Sequence, residues 1–268
     1  VTIIEYANRL LPSEDHDISR ELEIRLKKKG IRIVTNAKIL TDTVQKEKTT
    51  ATVQVEVNGE RLAYSAEKIL VCVGRQANIE DIGLENTDIQ VNQGVIQVND
   101  YFQTKERHIY AIGDVIGGLQ LAHVASREGM IAVEHIAGLN PEPLDYSLVP
   151  KCIYSSPEIA SVGWTEQEAK EKGLNLKIGK FPFRAVGKAL VYGQSDGFVK
   201  LIVDRDTDDV LGVHMIGPHV TDMISEAGLA RFLDAASWEV AHAIHPHPTL
   251  SEALGEAAFS VDGKAIHL

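Results

Sequence analysis

The first 34 residues leave few choices of fold. "VTIIEY" is an apolar run suited to a buried strand, and "DHDISRELEIRLKKKGIRIV" follows it with a change of period. Ile18, Leu22, Ile24 and Leu26 fall mostly on one face at helical spacing, Gly30 ends the pattern, and a second strand follows. A strand, an amphipathic helix and a strand in immediate succession open an α/β unit. The next stretch, "TATVQVEVNGERLAYSAEKILVCVG", changes to alternation. Asn58-Gly59 is the strongest short hairpin signal, and the apolar "ILVCV" reads as a buried strand ending at Gly74.

Residues 76–146 make a second segment. "GVIQVND" and "HIYAIGD" read as strands, "HVASREGMIAVEHIAG" as a helix closed by Gly138, and Asn140-Pro141-Glu142-Pro143 as a linker. From residue 147 to 268 the pattern is α+β. Strands at Lys151–Tyr154 and Ile159–Trp164 lead to a helix opened by Thr165, with Glu168 completing a capping box. "FVKLIVDRDTDDVLGVHMIG" is a hairpin turning at Asp206–Asp209, and helices follow at His219–Leu233 and Thr249–Phe259. The expected fold class is α/β plus α+β.

Composition narrows the function classes. A net charge of −11 argues against broad nucleic-acid binding, which needs a basic face. No apolar run approaches the roughly 18 residues of a membrane helix. No signal peptide is expected, because Val1–Ile4 runs directly into charged residues. The two cysteines, Cys72 and Cys152, sit in apolar, strand-like runs and read as buried thiols of a reducing, cytoplasmic compartment. They form no C-x-x-C or C-x4-C pair.

Three stretches carry chemistry. Glu5 ends the first strand, where a carboxylate can accept hydrogen bonds from the adenosine ribose of a dinucleotide; a strand-terminal glutamate is also an ordinary surface residue. In "YAIGDV" a strand runs into Gly113 and Asp114, whose carboxylate can accept from a ligand hydroxyl or simply close a turn. Leu121, Ala122 and His123 then open a helix, so their N–H groups are expected to be unpaired and to favour an anionic ring such as a reduced flavin.

The third stretch is "AIHPHPTLSE", residues 243–252. His242, His245 and His247 crowd together, but Pro246 and Pro248 prevent a regular helix and the spacing matches no familiar ligand set, so no metal is expected. "TLSE" fits a helix-opening capping box, with Glu252 satisfying an orphan N–H. Glu252 is equally suited to hold one nitrogen of His247 and make the other a better base. The residues by themselves support both readings.

"AIHPHPTLSEAL", "HIYAIGDV" followed by "LAHVASREG", and "ILVCVGRQAN" together resemble, in order, motifs of the flavoprotein pyridine nucleotide–disulfide oxidoreductases. The resemblance covers the whole chain. Within the family, "LAH", "HPTLSE" and the acidic Glu5 favour the branch that oxidises dihydrolipoamide with NAD⁺. Glutathione-reducing members use NADPH and usually carry basic residues where this chain has "EYANR". The family's flavin Gly-rich loop, redox cysteine pair and NAD Gly-rich turn lie upstream of these motifs and have no counterpart in the chain. The resemblance is therefore to a C-terminal portion: residues 1–75 to the end of the NAD domain, 76–146 to the second flavin segment, and 147–268 to the interface domain.

The resemblance implies roles. His247 would take a proton from a dihydrolipoyl thiol, with Glu252 orienting it, across a homodimer. Asp114 would hold the flavin ribityl chain, and the Leu121–His123 backbone would face the flavin pyrimidine. Glu5, Ile39 and Gly74 would line the NAD site. The implied cofactors are FAD and NAD, both expected to bind this chain weakly or not at all. The implied partners are a second copy, a lipoyl substrate and the acyltransferase core of a 2-oxo acid dehydrogenase complex. Taken alone, the chain would be inactive, a dimerisation or docking module.

Overall fold

The computed structural model describes residues 1–267, in two compact units: residues 1–69 together with the chain from 147 onward, and residues 70–146. The first unit begins with β1 (Thr2–Ile4), α1 (His16–Lys28) and β2 (Arg32–Val34), the two strands pairing in parallel with Ile3 opposite Ile33. Asp15 caps α1 by accepting the Asp17 N–H. Ile18 and Leu22 are buried, whereas Ile24 is 39% exposed. Ile24 does not belong to the buried face, because two residues on from Leu22 the helix has turned about 200°.

Next come β3 (Ala37–Lys46), β4 (Ala51–Val57) and β5 (Glu60–Ala66), an antiparallel meander. The hairpin signal is realised: Asn58 and Gly59 both adopt positive φ, 53° and 83°. Ala37, Val53 and Val55 form a small core beneath it, joined by Ile4 and Val34.

The second unit contains the short hairpin β6 (Val91–Asn92) and β7 (Val95–Ile96), a 3-10 turn at Gly113–Ile116, and α2 (Ala122–Ile136). Its core is Phe102, Ile131 and Ala132. Three expected strands are reduced here. "GVIQVND" contributes only the two residues of β7, and "HIYAIGD" only a single bridge from Tyr110 to Gln103. "ILVCV" forms no strand; Leu70, Val71 and Val73 are 86%, 73% and 86% exposed, and Cys72 is exposed rather than buried. An apolar strand persists only with ladder partners and covering layers, and among the described residues no strand pairs with this run.

The first unit resumes with β8 (Lys151–Ile153), β9 (Glu158–Gly163), α3 (Glu166–Glu171), β10 (Leu176–Pro182), α4 (Gly187–Val191), β11 (Phe198–Asp204) and β12 (Val210–Gly217). It ends with α5 (Val220–Phe232), α6 (Ser237–His242) and α7 (Glu252–Ser260). The strands make one antiparallel sheet in the order β10-β11-β12-β9-β8. The Thr165–Glu168 capping box opens α3 as expected. The six-residue α6 carries no Ser, Thr, Asp or Asn at its cap, Ala236, and sequence periodicity does not reveal it.

Strand alternation sorts the residues between the sheet's two faces. Val199, Leu201 and Val203 of β11, with Val213 and Met215 of β12, join Met223, Ile224 and Ala227 of α5 and Ala253, Leu254 and Ala257 of α7 in the main core. On the opposite face Ile159, Phe198 and Ile216 meet Ile18 and Leu22 of α1.

That second face also buries charge. Lys200 is 1% exposed, and its Nζ reaches Asp15 at 2.9 Å, Asp17 at 3.1 Å and Glu166 at 2.7 Å. Asp15 accepts N–H groups from both Asp17 and Glu166, so one carboxylate serves the starts of α1 and α3. His214 lies beside them, fully buried, with Nε2 bonded to the Trp164 carbonyl at 3.0 Å; burial pushes its pKa down.

Candidate active site

His247 and Glu252 meet. His247 Nδ1 lies 2.8 Å from Glu252 Oε1, while Glu252 Oε2 accepts the Thr249 N–H at 2.9 Å. Burial works to raise the Glu252 pKa, but the Thr249 and His247 hydrogen bonds outweigh it and hold the carboxyl below its ordinary range. An ionised carboxylate only accepts, so Nδ1 is the donor and Nε2 is left as the basic nitrogen. The His247 side chain is 78% exposed, open to an incoming group.

The expected capping box is only half built. Glu252 does accept the Thr249 N–H, but the Thr249 hydroxyl donates to the Pro246 carbonyl at 2.6 Å, and α7 starts at Glu252 with Ser251 as its cap. Residues 249–251 therefore form a turn before the helix rather than its first turn. The other histidines of the cluster go elsewhere: His242 Nδ1 to the Trp238 carbonyl at 2.8 Å, and His245 Nε2 to Glu226 Oε1 at 2.7 Å. Among the described residues no group of three or more His, Cys, Asp or Glu is gathered for a metal ion.

In the second unit, Gly113 adopts φ +74°, and Asp114, with its side chain 51% exposed, lies in the turn before α2. Arg75 approaches Asp114 at 3.9 Å. Glu128 was not foreseen. It is 2% exposed on α2, and it accepts the Gly113 N–H at 2.6 Å and the Tyr146 hydroxyl at 2.9 Å. Burial first, then Glu128, push the Tyr146 phenol up to about 12. Only the burial of a glutamate inside an otherwise apolar helix face would have signalled it.

Leu121 departs from expectation. It is the cap residue of α2, and its N–H is already donated to the Leu119 carbonyl at 2.8 Å. The loop folds back on itself before the helix, which uses that donor. No side chain caps α2, and Ala122 and His123 are its first residues.

Glu5 and Ile39 lie in the first unit and Gly74 in the second. Glu5 Oε1 accepts the Ala7 N–H at 2.8 Å, and its backbone joins β2 through the Val34 carbonyl. Ile39 is 38% exposed on β3, and Gly74 has φ +136°.

The apolar residues of α5 and its C-cap divide in two. Met223, Ile224 and Ala227 are buried against the sheet of the same chain, whereas Leu229, Phe232 and Leu233 are 59%, 67% and 65% exposed. Trp238 at 58% and Ile244 at 98% extend the exposed apolar set.

Two family descriptions match the chain. Residues 1–129 match the pyridine nucleotide-disulphide oxidoreductase model, and residues 149–258 match the dimerisation domain of the same family. Over 267 residues the chain is 72% identical to the dihydrolipoyl dehydrogenase of Bacillus subtilis (strain 168), an alignment taking in 100% of this chain and 56% of that protein. It is 42% identical to the dihydrolipoyl dehydrogenase of Zymomonas mobilis, covering 57% of that relative. The chain thus spans a little over half the length of these curated relatives. Among solved structures it is similar to LpdA of Mycobacterium tuberculosis, with TM-score 0.86, 28% identity and coverage of 96% of this chain and 55% of the other. It is also similar to the HOCl-induced flavoprotein disulfide reductase RclA of Escherichia coli, with TM-score 0.86, 29% identity and coverage of 96% and 58%.

Proposed function

The chain belongs to the pyridine nucleotide-disulphide oxidoreductase family, and from that premise we propose that it supplies the acid–base pair and the dimer interface for oxidation of dihydrolipoamide by NAD⁺. The observation that carries this reading is the His247–Glu252 hydrogen bond at 2.8 Å, with Glu252 itself tied to the Thr249 N–H. Glu252 fixes the imidazole with Nδ1–H toward its carboxylate and stabilises the imidazolium. Nε2 then takes the proton from a dihydrolipoyl thiol, leaving the thiolate, which is the nucleophile in disulfide exchange. Glu252 is the orienting group and His247 the base.

FAD, when bound, supplies the electron transfer between the dithiol couple and the nicotinamide. The second unit suits it in part: α2 starts with no side-chain cap, and Asp114 stands exposed in the preceding turn. Asp114 would hold ribityl hydroxyls, and the backbone at Ala122 and His123 would face the pyrimidine edge. In the first unit Glu5 keeps acceptor capacity beyond its Ala7 bond for a ribose hydroxyl, and the partly exposed Ile39 would serve as an apolar contact.

The exposed apolar set on α5 and α6 supports a homodimer built on residues 147–268, of the kind that buries upward of ~2,000 Å². Such a dimer would in turn dock on the acyltransferase core of a 2-oxo acid dehydrogenase complex. Two free cysteines support a reducing, cytoplasmic setting. No helix among the described residues is long and apolar enough to cross a membrane.

The test exchanges this chain for the matching part of the Bacillus subtilis dihydrolipoyl dehydrogenase, to which it is 72% identical. In that chimera His247→Gln is expected to retain flavin and fold while slowing the half-reaction with dihydrolipoamide about 10²–10⁴-fold. A rate near that of the unsubstituted chimera would overturn the assignment.

A further inference from the structure

Two residues before His247, a second histidine is used quite differently. The His245 side chain is 10% exposed, against 78% for His247. Its Nε2 meets Glu226 Oε1 on α5 at 2.7 Å. The ring rests on α7 at Gly255, where an added Cβ would stand 2.8 Å from Nδ1 and 2.9 Å from Cε1. Gly255 follows Glu252 by three residues, so the seat of His245 and the carboxylate that holds His247 lie one helical turn apart.

The loop between these fixed points has little freedom. Pro246 and Pro248 each lock φ. At the far end Thr249 is held twice, by its N–H to Glu252 and by its hydroxyl to the Pro246 carbonyl. Held at His245 and at Thr249, the chain between them has few backbone paths open to it. That matters because His247 is exposed and relies on its contact with Glu252 to keep its aim.

We propose that His245 is a positioning residue: anchored by Glu226 and seated on Gly255, it sets the His245–Thr249 loop so that His247 Nδ1 meets Glu252, and it does not itself exchange protons with substrate. This rests on the reading of His247 and Glu252 as the acid–base pair. The geometry suits an anchor rather than a base, since Glu226 occupies Nε2 and α7 covers the ring at Gly255. The charged groups that act on it are Glu226 from α5 and Glu252 from α7. The Glu226 hydrogen bond comes first among the causes that raise the His245 pKa above the ordinary range, against the opposing effect of burial.

The experiment reads the imidazole ¹⁵N resonances of His247 in the full chain, at a pH where that ring is neutral. In the wild type the Nδ1–H tautomer is expected to dominate, because Glu252 accepts from Nδ1. Glu226→Ala is expected to cut that tautomer's share by more than about half, as the ring relaxes toward the Nε2–H form common in free histidine. Gly255→Ala should do the same by pushing the His245 ring off α7, with the Glu226 acceptor still present. Glu226→Gln, which keeps an acceptor, should restore most of the wild-type balance. Glu226 has a side chain 40% exposed, so its variants are expected to keep the wild-type far-UV circular dichroism. An unchanged His247 tautomer balance in both Glu226→Ala and Gly255→Ala would overturn the proposal, as would a wild type with no Nδ1–H preference. A chimera whose rate ignores His247→Gln would instead sink the acid–base reading and leave the tautomer result standing.

Discussion

Lys200→Met removes the only cation among the described residues that touches all three carboxylates on that face of the sheet. Lys200 is 1% exposed and reaches Asp15, Asp17 and Glu166 at 2.9, 3.1 and 2.7 Å. Methionine fills similar volume, so the change tests charge rather than packing. Removing one partner of a buried ion pair costs about 3–5 kcal/mol, because the other charge stays buried. Here the loss is tempered. Asp17 and Glu166 side chains are 35% and 29% exposed, so water screens them, and they keep Lys180 and Lys170. Asp15, at 1% exposure, keeps only the Asp17 and Glu166 N–H groups. The lower end, about 3 kcal/mol, is the expected cost, and at ~2–4 °C per kcal/mol it lowers Tm by about 6–12 °C.

The pH dependence carries a sign. Burial works to raise the Asp15 and Asp17 carboxyls, but hydrogen bonds and charge from Lys200 outweigh it; Lys170 first, then Lys200, depress Glu166. Groups with depressed folded pKa values contribute stability above the ordinary carboxylate range and lose it as pH falls through the folded values. Without Lys200 the cluster gains less from ionisation. The gap between wild type and variant should therefore be widest near neutral pH and narrow below roughly pH 4. Urea denaturation followed by far-UV circular dichroism, at neutral pH and in acid, reads both quantities. A neutral-pH difference under ~1 kcal/mol, or a gap that ignores pH, would refute the reasoning.

Three further outcomes are expected. Glu252→Gln in the chimera should slow the dihydrolipoamide half-reaction less than His247→Gln, since the base itself remains, although the amide oxygen can accept from only one of Thr249 N–H and His247 Nδ1–H and the orienting charge is lost; stopped-flow rates for the two variants decide it. Phe232→Glu, placed where the side chain is 67% exposed, should turn a sedimenting dimer into a monomer with unchanged circular dichroism, and a persistent dimer would move the interface elsewhere. Glu128→Gln should lower the Tyr146 titration from about 12 without returning it fully to the ordinary range, because burial remains; alkaline absorbance would show it, and an unmoved titration would contradict the pairing.

Local patterns carried much of the fold. The Asn58-Gly59 turn, the Thr165–Glu168 box, the opening strand–helix–strand and the extent of α5 all follow from chemistry within a few residues, and each is found where the sequence places it. The reach of Glu252 toward His247 is of the same kind, five residues apart across a loop stiffened by proline. Other features depend on partners distant in sequence. "ILVCV" has the composition of a buried strand, but a ladder needs neighbours, and composition does not supply them. Leu121 opens a helix, yet a loop carbonyl two residues earlier takes its N–H. Met223 and Phe232 look alike in the α5 sequence, and only packing against β9 and β12 assigns one to the core and the other to solvent. Lys200 alternates with Val199 and Leu201 as a strand residue should, but its burial beside Glu166 also joins it to Asp15 and Asp17, more than 180 residues away. Period and capping act over one or two turns and are written in sequence. Burial and charge pairing are properties of three-dimensional neighbours, and only the tertiary structure chose them.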